Sequence, residues 1–405
     1  MGSFDDIGIL VVSMSALNWL RLSMTLLSNN ELPSLNIATS YKASAEEISI
    51  DLTQQLGNDR FAFIILYFAP SLANHSFIPH LTRAYPDVPI FGCSTAGEMT
   101  LNGMTDGAVV ALGFKEADFK VQDLLFSKLD DFSIRDGQLQ VKEAVDQFYA
   151  NRDASKPHCF ALMLVDGLCY REEQLVSALS YGLRDIPLVG GSAGDGLNFK
   201  ETSLISHGCV HKNAAVLLLV ESRRPFHIFK CDSFTPTDLK FVVTKADPEN
   251  RIVYELNAMP AATAYAKALG LSEQELDKYC LATHPLSVCF GGDSYVRSIK
   301  DVGADGSFSF YCAIDEGIVF TLSDITDMVE GLEKTFEDIH RDIGPPQIIL
   351  GFDCVLRRMI SEVNQSKGQI SQLFKDHQVV GFNTYGEQVH AMHLNLTFSG
   401  IALGQ

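Results

Sequence analysis

The chain has 405 residues, 46% hydrophobic and 20% charged, an ordinary globular composition with room for two or three cores that excludes a disordered protein. Fifty acidic against thirty-one basic side chains leave a net charge of -19, which repels phosphate backbones and anionic lipid, so nucleic acid is excluded as a partner. The nine cysteines are scattered with no Cys-x-x-Cys pair, which fits reduced thiols in a cytoplasmic protein and excludes a zinc knuckle or a covalent c-type haem.

Residues 7–27, "IGILVVSMSALNWLRLSMTLL", are apolar enough for a membrane segment. Asn18 and Arg21 interrupt them, however, and Asp5 and Asp6 stand where a signal peptide carries Lys or Arg. An interfacial or packing helix is expected. The next predicted helix runs from Ser44 to Leu56: Ser44 and Glu47 form a capping box, Ile48, Leu52 and Leu56 share one stripe, and Gly57 stops it. Apolar runs of strand length such as "FAFIILYF", "CFALMLV" and "QIILGFD" then alternate with helical patterns, which makes the fold class α/β. Ile325, Val329, Leu332, Phe336 and Ile339 predict a further amphipathic helix, with Glu330, Glu333, Lys334 and Glu337 on its wet side.

Strand ends carry a recurring loop. "GCSTAGE" (92–98) and "GFNTYGE" (381–387) align without a gap, and "GGSAGD" (190–195) is a copy one residue shorter. Each sits between apolar runs in the same order, so one supersecondary unit has been repeated. Glycine permits close approach and positive φ, while Ser, Thr and Asn bond local backbone; the loops suit both turn building and ligand contact at strand ends.

Gly190-Gly191-Ser192-Ala193-Gly194 also matches a nucleophile elbow, and Asp353 and His393 follow in hydrolase order. Against that reading, "DGLNFKETS" comes next and is poor in helix formers, where an elbow requires a helix. Cys93 and Cys354, at strand ends, read as buried, inert thiols. Arg357 and Arg358 follow Asp353 on a predicted helix, and an internal ion pair is expected for one of them. His207 and His211 flank "GCV" before a buried strand, a position that suits a pocket mouth. Near the end, His393, Asn395, Thr397 and Ser399 alternate with Met392, Leu394, Leu396 and Phe398, as on one two-faced strand. His390 falls on the apolar face, opposite His393, so the two cannot chelate one metal.

"GCSTAGEM", "IPLVGGSAGDGLNF", "ILGFDCVLRRM", "GFNTYGEQ" and "MHLNLTFSG", in that order, make residues 36–405 resemble the FIST sensory-domain family. The resemblance implies an extension at 1–35, a FIST N domain at 36–222 and a FIST C domain at 223–405, built of repeated strand-helix-strand units with mixed sheets. It implies a sensor rather than an enzyme. "TYGEQ" and "MHLNLTF" are similar to the nitric oxide sensing branch, which binds heme b and regulates a partner histidine kinase or cyclic-di-GMP enzyme. Carried onto this chain, the implied pocket residues are Asp353, Cys354, Arg357, Asn383, Tyr385, Glu387, His393 and Asn395, with His393 the expected iron ligand. A non-haem FIST sensor for a small metabolite such as an amino acid, and a serine hydrolase using Ser192, are the alternatives; homo-oligomerisation is compatible with all of them.

Overall fold

The first repeat runs β1 (Leu35–Ser40), α1 (Ala45–Leu56), β2 (Phe61–Phe68), α2 (Ile78–Ala84), β3 (Ile90–Ser94), a hairpin of β4 (Glu98–Thr100) and β5 (Gly103–Thr105), and a return strand β6 (Val109–Lys115). Helix α1 starts as its capping box predicts, with Ser44 accepting from the Glu47 N–H and donating to Glu47 Oε2 at 2.6 Å, and Gly57 closes it at φ 73. The sheet order is β1-β6-β2-β3, with β2 and β3 parallel and the other pairs antiparallel. The computed structural model describes residues 33–72 and 76–405. The helix expected at 7–27 lies outside the described residues.

A second repeat follows in the same order: β7 (Phe119–Ser127), α3 (Ile134–Ala150), β8 (His158–Val165), α4 (Glu172–Gly182), β9 (Leu188–Ser192), the hairpin β10 (Leu204–Ser206) and β11 (Cys209–His211), and β12 (Ala214–Ser222). Its sheet is β7-β12-β8-β9. The third begins with β13 (Phe226–Asp232), is interrupted by a separate sheet over 234–325, and resumes with α5 (Met328–Ile343), β14 (Ile348–Cys354), α6 (Val355–Val363) and α7 (Lys367–Asp376). It ends with β15 (Val379–Thr384), the hairpin β16 (Glu387–Val389) and β17 (Met392–Leu394), and β18 (Thr397–Leu403). Its sheet, β13-β18-β14-β15, repeats the order again.

No repeat keeps its own hairpin. β4–β5 of the first adds to β15 of the third, β10–β11 of the second adds to β3 of the first, and β16–β17 of the third adds to β9 of the second. The three repeats are therefore joined in a closed cycle, and residues 34–405 cohere as one compact unit. One face of each sheet meets the others in a shared core, with Phe63 and Phe91 from the first, Leu162 and Leu218 from the second, and Leu350 and Phe382 from the third. The opposite faces pack under α1 and α2, under α3 and α4, and under α5, α6 and α7. Burial on both faces explains why the central strands read as continuous apolar runs.

The inserted sheet is antiparallel and has its own core around Tyr265, Phe308 and Phe320. Ile325, expected on the helical stripe, instead ends the insert's last strand, Val319–Ile325. Asp327 caps α5, accepting from the Val329 N–H at 2.8 Å, so the stripe begins at Val329. Among the described residues no helix is long and apolar enough to cross a membrane.

Candidate functional site

The three glycine loops meet where the hairpins cross. Their first glycines hold one register: a Cβ on Gly92, Gly190 or Gly381 would lie 2.2, 2.1 or 1.8 Å from the carbonyl oxygen of Leu66, Met163 or Gly351 on the neighbouring parallel strand. Only glycine allows that approach. Beyond it the loops bond to one another in a ring. Ala96 N donates to Asn383 O at 2.9 Å and Asn383 N to Gly97 O at 2.8 Å; Gly194 N donates to Ser94 O at 3.0 Å; Ser192 N donates to Gly386 O at 2.8 Å.

The loop carboxylates close this junction from inside. Thr95 donates to Glu98 and Thr384 to Glu387, the same Thr-x-x-Glu bond in two repeats. Glu98 also accepts from the Ala108 N–H at 3.1 Å, and Glu387 from the Thr397 hydroxyl at 2.6 Å. Burial pushes the Glu98 carboxyl up to about 7 and that of Glu387 up to about 8. Asp195, in the shorter loop, caps the N–H groups of Phe199, Lys200 and Glu201 at 2.7, 2.9 and 3.0 Å and accepts from the Tyr385 hydroxyl. All three acids serve turns.

The residues expected in a pocket are brought together, and their charged groups are engaged with each other, while Asn383 Oδ1, Asn395 Oδ1, Gln388 Oε1 and Ser399 Oγ are buried without a hydrogen-bond partner among the described residues. Arg357 Nε lies 2.8 Å from Asp353 Oδ1, its Nη1 donates to Ser233, and Asn383 Nδ2 donates to Asp353 Oδ2 at 3.0 Å. This is the expected internal ion pair. Arg358 turns away to Asp106 at 2.6 Å and Glu362 at 3.1 Å. Burial raises the thiol pKa of both Cys354 and Cys93, so neither is a reactive thiolate. Tyr385 stacks on Phe199 with ring centres 4.4 Å apart. Asn395 is buried, and its Nδ2 points to Tyr385 O at 3.5 Å.

The polar row does not lie on one strand. Leu396, at φ 59, breaks it between β17 and β18, and the row is buried rather than solvated. His390 sits exposed at the hairpin turn, at φ 52, not on the apolar face. His393 pairs across strands with Gln388, which pairs with Gly190, so all three share the sheet face that α4 covers. Gln388 Nε2 lies 3.2 Å from His393 Nδ1 and 2.9 Å from Ser192 Oγ. Burial pushes the imidazole below its ordinary range, against the pull of Glu173 and Glu172. His207 does not reach a pocket mouth; it is exposed in the hairpin turn and 3.0 Å from Asp123, and His211 lies at the other end of β11, opposite Leu204.

As placed, these residues assemble neither a hydrolase relay nor a haem site. Ser192 meets Gln388, Asp353 is committed to Arg357, and coil rather than helix follows the elbow-like turn. The His393 ring is enclosed by Gly386, whose added Cβ would stand 2.3 Å from Cε1, which leaves no slot for a porphyrin on that edge. Among the described residues no cluster of three His, Cys, Asp or Glu could hold a metal ion.

The open space lies a few residues away, where the insert meets the second repeat. Arg251, at φ 55 in an insert turn, places Nη2 2.9 Å from Glu172 and 2.7 Å from Glu173, and its guanidinium stands 4.9 Å from the Tyr170 ring centre. The Ala313 N–H completes the latch on Glu173 at 2.6 Å. Two clefts, of about 590 and 620 Å³, flank this latch and share Glu173, Ala313 and Ile314 as a common wall. Both have the volume of small-molecule sites. Sequence reasoning missed these residues because none belongs to a repeated motif. The one local signal was "DPENR", a turn that delivers an arginine.

A three-repeat α/β fold with interlocked glycine loops and clefts beside an inserted sheet is the frame in which these residues sit. The chain belongs to the FIST family of sensory domains: the FIST N domain matches residues 62–259 and the FIST C domain residues 261–390. It is also similar to the uncharacterized protein MJ1623 of Methanocaldococcus jannaschii, with 23% identity over 351 residues, covering 77% of this chain and 67% of that one.

Proposed function

We propose that this protein is a small-ligand sensor whose ligand enters the cleft between α4, the β16–β17 hairpin and the insert. One observation carries the reading: Glu173 lines the cleft and also holds the insert through Arg251 and the Ala313 N–H. A ligand that fills the cleft beside this carboxylate changes the hold on the insert, which gives two states with differential ligand contact. On the same face the His393–Gln388–Ser192 contacts lead from Glu173 towards the loop ring. Output through a partner, by resemblance a histidine kinase or a cyclic-di-GMP enzyme, completes the proposal.

Hydrogen exchange tests it. Ligand should alter amide exchange around 248–253 and 311–316 while leaving α3 unchanged, and Glu173→Gln should loosen the same segments without ligand. Uniform protection, or an unchanged latch in the variant, counts against the reading. Haem binding, which the resemblance implies, requires α4 and Gly386 to move off His393; a Soret band lost in His393→Ala would replace this proposal with a haem-based nitric oxide sensor.

A further inference from the structure

Resting on that reading, we propose that the larger cleft takes a small monoanion with an apolar body, such as a short-chain carboxylate, and that Arg297 is its anchor. The cleft is walled by Val288, Phe290, Ile318, Val319 and Met392, with Phe290 70% exposed and Val319 48% exposed. Apolar side chains left this open beside a concave surface gain by covering. The cleft holds three charged residues, and they are not equivalent.

Glu173 is spent, since Oε1 accepts from the Ala313 N–H and Oε2 from Arg251. Asp315 is exposed at the rim and accepts from the Glu316 N–H at 2.8 Å, so solvent screens it. Arg297 has no ion pair among the described residues. Its side-chain bond is a long one, 3.4 Å from Nη1 to His393 O, which leaves most of its donor fork free. A half-buried, unpaired guanidinium on an apolar wall is matched by a carboxylate, which it can bind through two parallel N–H···O bonds. The arrangement disfavours an ammonium, because the carboxylate that would receive it already holds the insert. A free zwitterionic amino acid therefore meets one complementary charge and loses solvation at the other.

Calorimetric titration of the full chain with hexanoate, hexylamine, leucine and hexanol decides this. Hexanoate should bind best, and Arg297→Gln should weaken it by about tenfold or more, roughly 1.4 kcal/mol, while leaving hexanol unchanged; Arg297→Lys should keep part of the affinity. Val319→Glu, which places a carboxylate on the exposed wall, should repel hexanoate in a protein with an unaltered melting temperature. Leucine or hexylamine binding more tightly than hexanoate, or hexanoate indifferent to Arg297→Gln, overturns the monoanion assignment and leaves the cleft as a sensor site. No binding by any of the four overturns both.

Discussion

Arg357 and Arg297 stand in two polar regions with opposite economies. Around Arg357, every charge has an internal partner: Asp353 takes the guanidinium, Asn383 takes the carboxylate, and the loops bond in a ring across the repeats. Around Arg297 the charge has no ionic partner among the described residues. Both regions contain the residue types associated with ligand sites, so residue type does not separate them. A buried group whose bonds are all internal holds the fold, while one left unsatisfied beside a cavity has capacity for something else. The glycine loops that recur most plainly in the chain thus build the junction, and the cleft is built by residues that recur nowhere.

The largest break in this comparison is Arg357→Ala. It strands Asp353 as a buried carboxylate, and removing one partner of a buried pair costs about 3–5 kcal/mol, so the variant's denaturation midpoint should fall far below wild type. A midpoint within error of wild type would mean that the pair does not hold the junction. Gly386→Val comes next, at about 1–3 kcal/mol for overpacking, through collision with His393 rather than backbone strain. Gly97 differs: it lies at φ 135, and its Cβ would meet Arg358, so Gly97→Ala should also be destabilising where Gly107→Ala, with open space around it, is limited to φ strain. Thermal melts of the three glycine variants check the ranking.

The junction should also respond to pH. Glu98 and Glu387 hold protons in the folded state up to about 7 and about 8, from an ordinary value of 4.5. Their raised pKa values contribute stability that is fully present below about 4.5 and lost as pH rises through 7 to 8, because the unfolded chain releases those protons earlier. Melting temperature should therefore fall between about pH 5 and pH 8. In Glu387→Gln, which mimics the protonated side chain, the fall should be shallower. An equal slope in both proteins would show that Glu387 is ionised in the native junction.

Much of the junction was legible in the sequence because it is repeated: the glycines that permit close approach and the apolar runs recur with the unit, while the Thr-x-x-Glu bond of two repeats became visible only in the structure. The cyclic exchange of hairpins was not, since Glu387 pairs with Gly191 across 196 positions by backbone bonds that carry no side-chain signature. Alternation alone also could not see Leu396 turn to positive φ, and so it drew one polar strand where two meet. The latch joins Glu173 of the second repeat to Arg251 of the insert, residues with no shared motif. Motif reading finds what is copied, and this cleft is not.

Two smaller substitutions sharpen the contrast. Ser192→Ala removes a fully buried hydroxyl that faces Gln388 at 2.9 Å, which should cost about 1 kcal/mol. It should leave ligand binding intact; loss of an ester-hydrolysing activity in this variant would restore the hydrolase reading. Arg297→Gln should do least to stability, within about 0.5 kcal/mol, because its side chain makes one long bond and no ion pair among the described residues. Urea titration of Arg297→Gln beside Arg357→Gln makes the comparison at matched chemistry. If the two fall equally, Arg297 is also holding the fold, and the distinction between a spent and an unspent arginine fails at the one position where the proposed ligand depends on it.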